Sequence, residues 1–139
     1  IFKINFSFEE SFNILNLILG KNIFDLINHD LISHYDSPGE IINLLNFAIE
    51  KKINLNDYTL KKLLILLIDN SYYKKNKYIK DLIVNFIELF FLKEYSLSIT
   101  KKALQSTYRN FIDKIHNTEK YNLDEESLFL EFKSKLLNE

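Results

Sequence analysis

The sequence contains no cysteine and no methionine, and it has only two glycines and one proline among 139 residues. Without cysteine the chain has neither disulfide bonds nor thiolate metal sites, which fits an intracellular, reducing compartment. With so little glycine and proline, few two-residue hairpin turns can form, so we do not expect a sheet built from hairpins. Because the sequence starts at Ile1 and has no methionine, we expect the natural start to lie upstream, where a targeting segment would also stand.

Long apolar runs and an excess of one charge are missing as well. The apolar run at residues 89–92 is separated from its upstream apolar neighbours by Asn85 and Glu88, and no run approaches the ~20 residues that a membrane span needs. The net charge is −1, so any contact with nucleic acid or an anionic membrane needs a local patch. The hydrophobic content of 47% and charged content of 27% are typical of a globular protein.

Arginine is scarce too, since Arg109 is the only arginine among the 18 basic residues. Isoleucine, asparagine, lysine, tyrosine and phenylalanine are abundant instead. Their codons are rich in A and T, which indicates an A/T-rich genome. A stretch rich in lysine or tyrosine is therefore weaker support for a functional site here than in an average protein.

The apolar residues recur at spacings of three and four, which predicts a single all-α domain over residues 1–139. Ser7 with Glu10, and Ser37 with Glu40, have the spacing of capping boxes. A strand over residues 63–68 is the alternative for the most apolar segment, although no turn chemistry supports a sheet. The second helix is predicted to run to about residue 34. The seven predicted helices begin near Ser7, Asn22, Ser37, Asn56, Lys77, Ser98 and Asn122.

A shift of 42 residues places residues 41–56 over residues 83–98 with the apolar positions in register. Any two amphipathic helices align at some offset, which explains that register. Chance alignment of two amphipathic helices explains less well that Asn43 falls on Asn85 and that the polar turn at Asn54 falls on Ser96. A second shift of 42 brings Phe132 into the same register. Because two helices in about 40 residues are typical of α-solenoid repeats, we predict stacked helical hairpins, as a segment of a longer array.

The segment LLNFAIEKKINLNDYTLKKLLILLID, residues 44–69, resembles the junction in pentatricopeptide-type repeats. There a helix ends in basic residues, a short polar turn follows, and the next helix begins. It also resembles the helical repeats that precede the RAP domain in organellar RNA-handling proteins of apicomplexan parasites. The resemblance implies a subunit of an organellar ribonucleoprotein, in the mitochondrion or another organelle. The spacing of 42 departs from the pentatricopeptide length, so no base-reading residue carries over, and no RAP domain is visible.

The common catalytic and nucleotide-binding motifs are missing from the sequence. Asp30 and His34 would share a helix face, but no third ligand stands at metal-site spacing, so we interpret them as a solvated or capping pair. Glu125 and Glu126 are interpreted as complementing the dipole at a helix start. We therefore predict no enzyme activity, no cofactor, no metal and no small-molecule substrate.

The most suggestive polar element is NSYYKKNKYIK, residues 70–80, which interleaves tyrosines with lysines. Bases can stack on such rings, at about 1–3 kcal/mol each, while ammonium groups meet phosphates. If the sixth helix stacks beside this element, its polar residues extend it into one basic rim; the alternative is a solvated loop and helix face. The candidate residues for contact with a nucleic acid or a partner are Tyr72, Tyr73, Lys74, Lys75, Lys77, Tyr78, Lys80, Lys101, Lys102, Gln105 and Arg109.

Two functions from different classes follow from these features. The first is a non-enzymatic helical-repeat scaffold or adaptor that binds a protein partner, with RNA as a second ligand. The alternative is a compact regulatory domain, similar to viral Bcl-2-like inhibitors, that holds a partner helix in a groove. The first predicts rows of helix pairs, whereas the second predicts one central helix surrounded by the others.

Overall fold

The computed structural model describes residues 7–33, 36–97 and 101–137. These residues contain no β-strand, so the all-α prediction is confirmed. The strand alternative for residues 63–68 is wrong, because they lie inside a helix. The helices are α1 (Phe8–Leu19), α2 (Pro38–Lys51), α3 (Leu60–Asp69), α4 (Lys77–Leu97), α5 (Lys101–Lys120) and α6 (Glu126–Phe132). Short 3₁₀ turns lie at Ile23–Asp25, His29–Leu31, Leu55–Asp57 and Tyr72–Lys74, and a π-helical turn at Lys133–Leu137.

The chain divides into two compact units, Ile1–Thr59 and Leu60–Glu139. In the first unit α1 packs against α2, and in the second α4 packs against both α3 and α5. The interpretation of the chain as one domain stays a prediction, which a mutation in α1 tests below. Over the ranges that the structure describes, no helix combines the length and the apolar character needed to cross a membrane.

Both predicted capping boxes are present. The backbone N–H of Glu10 donates to Ser7 Oγ at 3.2 Å, and the N–H of Ser7 donates to the Glu10 carboxylate at 2.8 Å. Ser37 and Glu40 make the same pair of bonds at 3.3 and 2.8 Å, and Pro38 occupies the first helical position of α2. These bonds satisfy N–H groups that have no partner inside the helix, which is why the two helices begin where they do.

The predicted helix from Asn22 to residue 34 is wrong. This segment instead forms two 3₁₀ turns. Each turn is preceded by an asparagine whose side chain accepts a hydrogen bond from the backbone N–H two residues later. Asn22 Oδ1 accepts from Phe24 at 3.1 Å, and Asn28 Oδ1 accepts from Asp30 at 2.9 Å. Such local bonds compete with helical ones. His34, the partner proposed for Asp30, lies outside the described residues.

Two further boundaries differ from the prediction. The segment expected to open the fourth helix near Asn56 is a 3₁₀ turn, and α3 begins at Leu60. The predicted start of the sixth helix, Ser98, lies outside the described residues, and α5 is described from Lys101.

Several positions aligned by the 42-residue shift have matching burial in α2 and α4, although the exposed Ile49 falls on the buried Phe91. Asn43 and Asn85 are both exposed. The matched buried pairs are Ile41 with Ile83, Leu44 with Phe86, and Ala48 with Phe90. Because amphipathic helices aligned on their apolar residues share such a register in any case, the solenoid arrangement stays a prediction.

A cluster of phenylalanine rings lies in the core of the second unit. Phe132 of α6 is fully buried, and its ring centroid lies 5.5 Å from those of Phe90 and Phe111 and 5.9 Å from that of Phe91. Phe132 therefore joins α4, α5 and α6. The residues around α6 also contact the other side of this unit, since Lys133 forms an ion pair with Asp69 at the end of α3.

Candidate partner-binding site

The tyrosine and lysine stretch at residues 70–80 forms a 3₁₀ turn followed by the start of α4. Tyr73 is buried, and its ring packs edge-on against that of Phe129 with a centroid distance of 5.0 Å. A base cannot stack on a ring in this position, so the interpretation of Tyr73 as a stacking platform is wrong. Tyr72 and Tyr78 are half-buried.

Two lysines of this stretch pair with glutamates at the start of α6. Lys74 Nζ lies 2.8 Å from a carboxylate oxygen of Glu126, and Lys80 pairs with Glu125. These hydrogen bonds raise the pKa of both lysines. Glu125 and Glu126 lie at the start of α6, as expected, and they also neutralise positive charge. Lys74 is exposed although it is paired, and Lys75 and Lys77 are exposed as well.

The structure does not bring the two predicted basic segments together. The rings of Phe91 and Tyr108 lie 5.3 Å apart, and Lys101 Nζ lies 5.2 Å from the ring centroid of Tyr95. The start of α5 is therefore beside the end of α4. Because the 21 residues of α4 span about 30 Å, Lys77 at its start is about that far from Lys101. Lys101 and Lys102 therefore do not extend residues 70–80 into the single basic rim that was one of the two interpretations of the sequence.

An apolar groove lies between the second half of α4 and the first half of α5. Its volume is about 200 Å³, and Leu92 and Tyr95 on its α4 side are 57% and 42% exposed. Phe91 is buried. The residues that line the groove are Phe91, Leu92, Tyr95, Leu104, Gln105 and Tyr108. Partial burial raises the pKa of the Tyr108 hydroxyl, and the negative charge of Glu88 raises it further.

Basic side chains follow the α5 edge of this groove. Gln105 lines it, and Lys102 and Arg109 stand three residues before and four residues after Gln105, on the same helix face. Both are exposed, and Lys101 reaches over the ring of Tyr95. The four α5 residues proposed from the sequence therefore share one surface, next to apolar residues that the sequence interpretation did not include.

Sequence reasoning missed Leu92 and Tyr95 as surface residues. The available signal was that α4 is apolar on most of its sides, which leaves apolar side chains at the surface wherever no neighbouring helix covers them. Leu104 and Tyr108 belong by their spacing to the same apolar stripe of α5 as the buried residues Phe111 and Ile115. They are half-buried, because they line the groove beside the second half of α4 and are not fully covered by it.

Replacing Tyr73 with phenylalanine is expected to raise the free energy of unfolding by about 1 kcal/mol. The Tyr73 hydroxyl is buried and has no hydrogen-bond partner within the part of the chain that the structure describes, and an unsatisfied buried polar group costs about 1–3 kcal/mol. Urea unfolding followed by circular dichroism measures the change. Tyr121→Phe, the same change at an exposed tyrosine, is the control. A loss of stability in Tyr73→Phe would contradict the prediction.

The described ranges contain no group of three histidine, aspartate or glutamate side chains that could hold a metal ion. The chain matches no protein-family model, no curated protein and no solved structure.

Proposed function

We propose that this chain is a non-enzymatic helical module that binds a protein partner through the groove between α4 and α5. The observation that carries the proposal is the exposure of Leu92 and Tyr95 beside a groove whose walls are mostly apolar. Contiguous exposed apolar surface bordered by polar residues marks interaction sites on globular proteins. Tyrosine is also enriched at interfaces, because one side chain offers both apolar area and a hydroxyl.

A scaffold of repeated units is the first form of this proposal, and a second groove supports it. In the first unit a groove of about 250 Å³ is lined by residues that include Ile49 and Ile53. Their counterparts 42 residues later, Phe91 and Tyr95, line the groove of the second unit. Equivalent positions thus line a groove twice, as expected of a repeat array that offers similar binding surfaces.

A compact domain similar to Bcl-2-like inhibitors is the second form, and the contacts of α6 favour it. In an array, each repeat contacts only its neighbours. With a period of 42 residues, α3 belongs to the first repeat and α6 begins the third, so an array would keep these two helices apart. In the second compact unit, however, Lys133 pairs with Asp69, and Phe129 packs on Tyr73. These contacts close the unit around α4, which also packs against α3 and α5.

Membership of an organellar ribonucleoprotein, with RNA as a second ligand, belongs to the repeat-scaffold form of the proposal. The resemblance of residues 44–69 to organellar repeats supports it. The exposed lysines for RNA contact are Lys75 and Lys77 at the start of α4 and, at the other end of that helix, Lys101 and Lys102. They form two small patches, each of which can meet a few phosphates at most.

Photo-crosslinking in cells of the source organism tests the proposal. Benzoylphenylalanine replaces Leu92 in the groove, Lys75 in the turn, or Leu130, a 48% exposed residue of α6 outside the groove. We expect position 92 to crosslink to discrete proteins that position 130 does not capture. Crosslinks from position 75 to RNA would support the ribonucleoprotein form, and their absence would leave the protein-binding form. Identical patterns from positions 92 and 130 would overturn the proposed function.

A further inference from the structure

We infer that the groove between α4 and α5 takes an amphipathic α-helix of a partner protein that carries acidic residues along one edge. The inference rests on the proposed function, because it names the chemistry of the partner that the groove would bind. Its basis is the shape of the groove together with the charges along its α5 side.

The groove has the dimensions of a site for a few side chains of one helix. Leu92 and Tyr95 on α4 stand three residues apart, and Leu104 and Tyr108 on α5 stand four apart, so each wall extends about one helical turn, or roughly 5–6 Å. A helix presents its own apolar side chains at the same spacings, which lets it insert two or three of them between the walls. The volume of about 200 Å³ lies below the range of about 300–1,000 Å³ that is usual for small-molecule sites, so the groove suits the insertion of a few side chains and not the enclosure of a whole ligand.

The charges around the groove are distributed unevenly. Lys101, Lys102 and Arg109 follow the α5 side, whereas Glu88 lies on the α4 side close enough to influence Tyr108. An occupant with carboxylates facing α5 meets three cations, and a basic residue near α4 would meet Glu88. Complementary charges of this kind increase the association rate and fix the orientation of the bound helix. A helix with a basic edge toward α5 would be repelled.

A displayed library of amphipathic helices tests the inference with the intact chain. The library keeps leucine at i, i+4 and i+7, and randomises the other positions. Selection on the wild-type protein is followed by affinity measurements on three variants, each checked for wild-type circular dichroism. Leu92→Asp alters the groove, the double variant Lys102→Glu with Arg109→Glu reverses the basic edge, and Leu130→Asp makes the same change as the first at an exposed site on α6.

We expect the selected helices to be enriched in aspartate and glutamate on one edge. Their affinity should fall about tenfold or more, equivalent to about 1.4 kcal/mol, on Leu92→Asp and on the double variant, and it should not change on Leu130→Asp. Raising the salt concentration should weaken wild-type binding, because the rim charges are exposed. The double variant should recover affinity for helices in which the acidic positions are replaced by lysine.

Three results would overturn the inference. Selected helices without acidic enrichment, which bind the double variant as well as the wild type, would disprove the charge component while the protein-binding proposal stands. Failure to select any helix, together with specific protein crosslinks from position 92, would point to a non-helical partner. Concentration-dependent self-association that Leu92→Asp abolishes would assign the groove to a second copy of this chain.

Discussion

Replacing Phe132 with alanine is expected to lower the free energy of unfolding by about 3–5 kcal/mol, enough to unfold much of a marginally stable unit. The ring is fully buried and lies 5.5 to 5.9 Å from three other phenylalanine rings on α4 and α5. Its removal leaves a cavity where three helices meet, and each lost aromatic pair contributes about 0.5–1.5 kcal/mol beyond simple burial. Urea unfolding followed by circular dichroism measures the loss.

Leu130→Ala is the matched control for this variant, because Leu130 lies two residues earlier on the same helix and is half exposed. We expect a change there of less than about 1 kcal/mol. Phe132→Leu retains most of the apolar volume and should lose less stability than the alanine variant. If Phe132→Ala and Leu130→Ala had equal effects, Phe132 would not join the three helices as the structure shows.

Replacing Leu15 with alanine is expected to cost about 2–5 kcal/mol, with the effect confined to the first compact unit. Leu15 is fully buried in α1, which packs against α2 within Ile1–Thr59. Hydrogen exchange resolves the effect by region, since it reports local as well as global opening. We expect protection to fall in α1 and α2 and to persist in α4, α5 and α6.

The control for Leu15→Ala is Leu17→Ala, the same substitution two residues later on the same helix, at a side chain that is almost fully exposed. It should be close to neutral. If Leu15→Ala instead lowers protection equally in both units, the chain unfolds as one cooperative domain, as the sequence interpretation proposed. The experiment therefore decides between one domain and two independently stable units.

Helix starts and helical content could be predicted from the sequence, because they depend on neighbouring residues. Ser7 and Ser37 cap α1 and α2 through bonds that span three residues, and such bonds form whatever the rest of the chain does. The segment after Asn22 was mispredicted for a local reason as well. Its asparagine side chains accept hydrogen bonds from nearby backbone N–H groups, which favours 3₁₀ turns over an α-helix. The helical spacing of its apolar residues led to the wrong prediction.

The candidate site was less accessible to sequence reasoning. Tyr73 belongs to a stretch whose tyrosines and lysines predict contact with a nucleic acid. In the structure it packs on Phe129, which lies 56 residues further along the chain. Lys74 and Lys80 likewise pair with glutamates near residue 125. Their roles depend on where α6 lies relative to α4, and no pattern within residues 70–80 contains that information.

The sequence by itself determined the all-α class, the capped starts of α1 and α2, and the amphipathic register of the helices, because each depends on residues within one or two turns of each other. Only the tertiary structure decided which apolar side chains are covered. Phe91 and Leu92 are adjacent and both apolar, yet α5 packs over the first and leaves the second exposed in a groove. Burial is a property of helix packing, and packing is set by contacts between residues far apart in the chain.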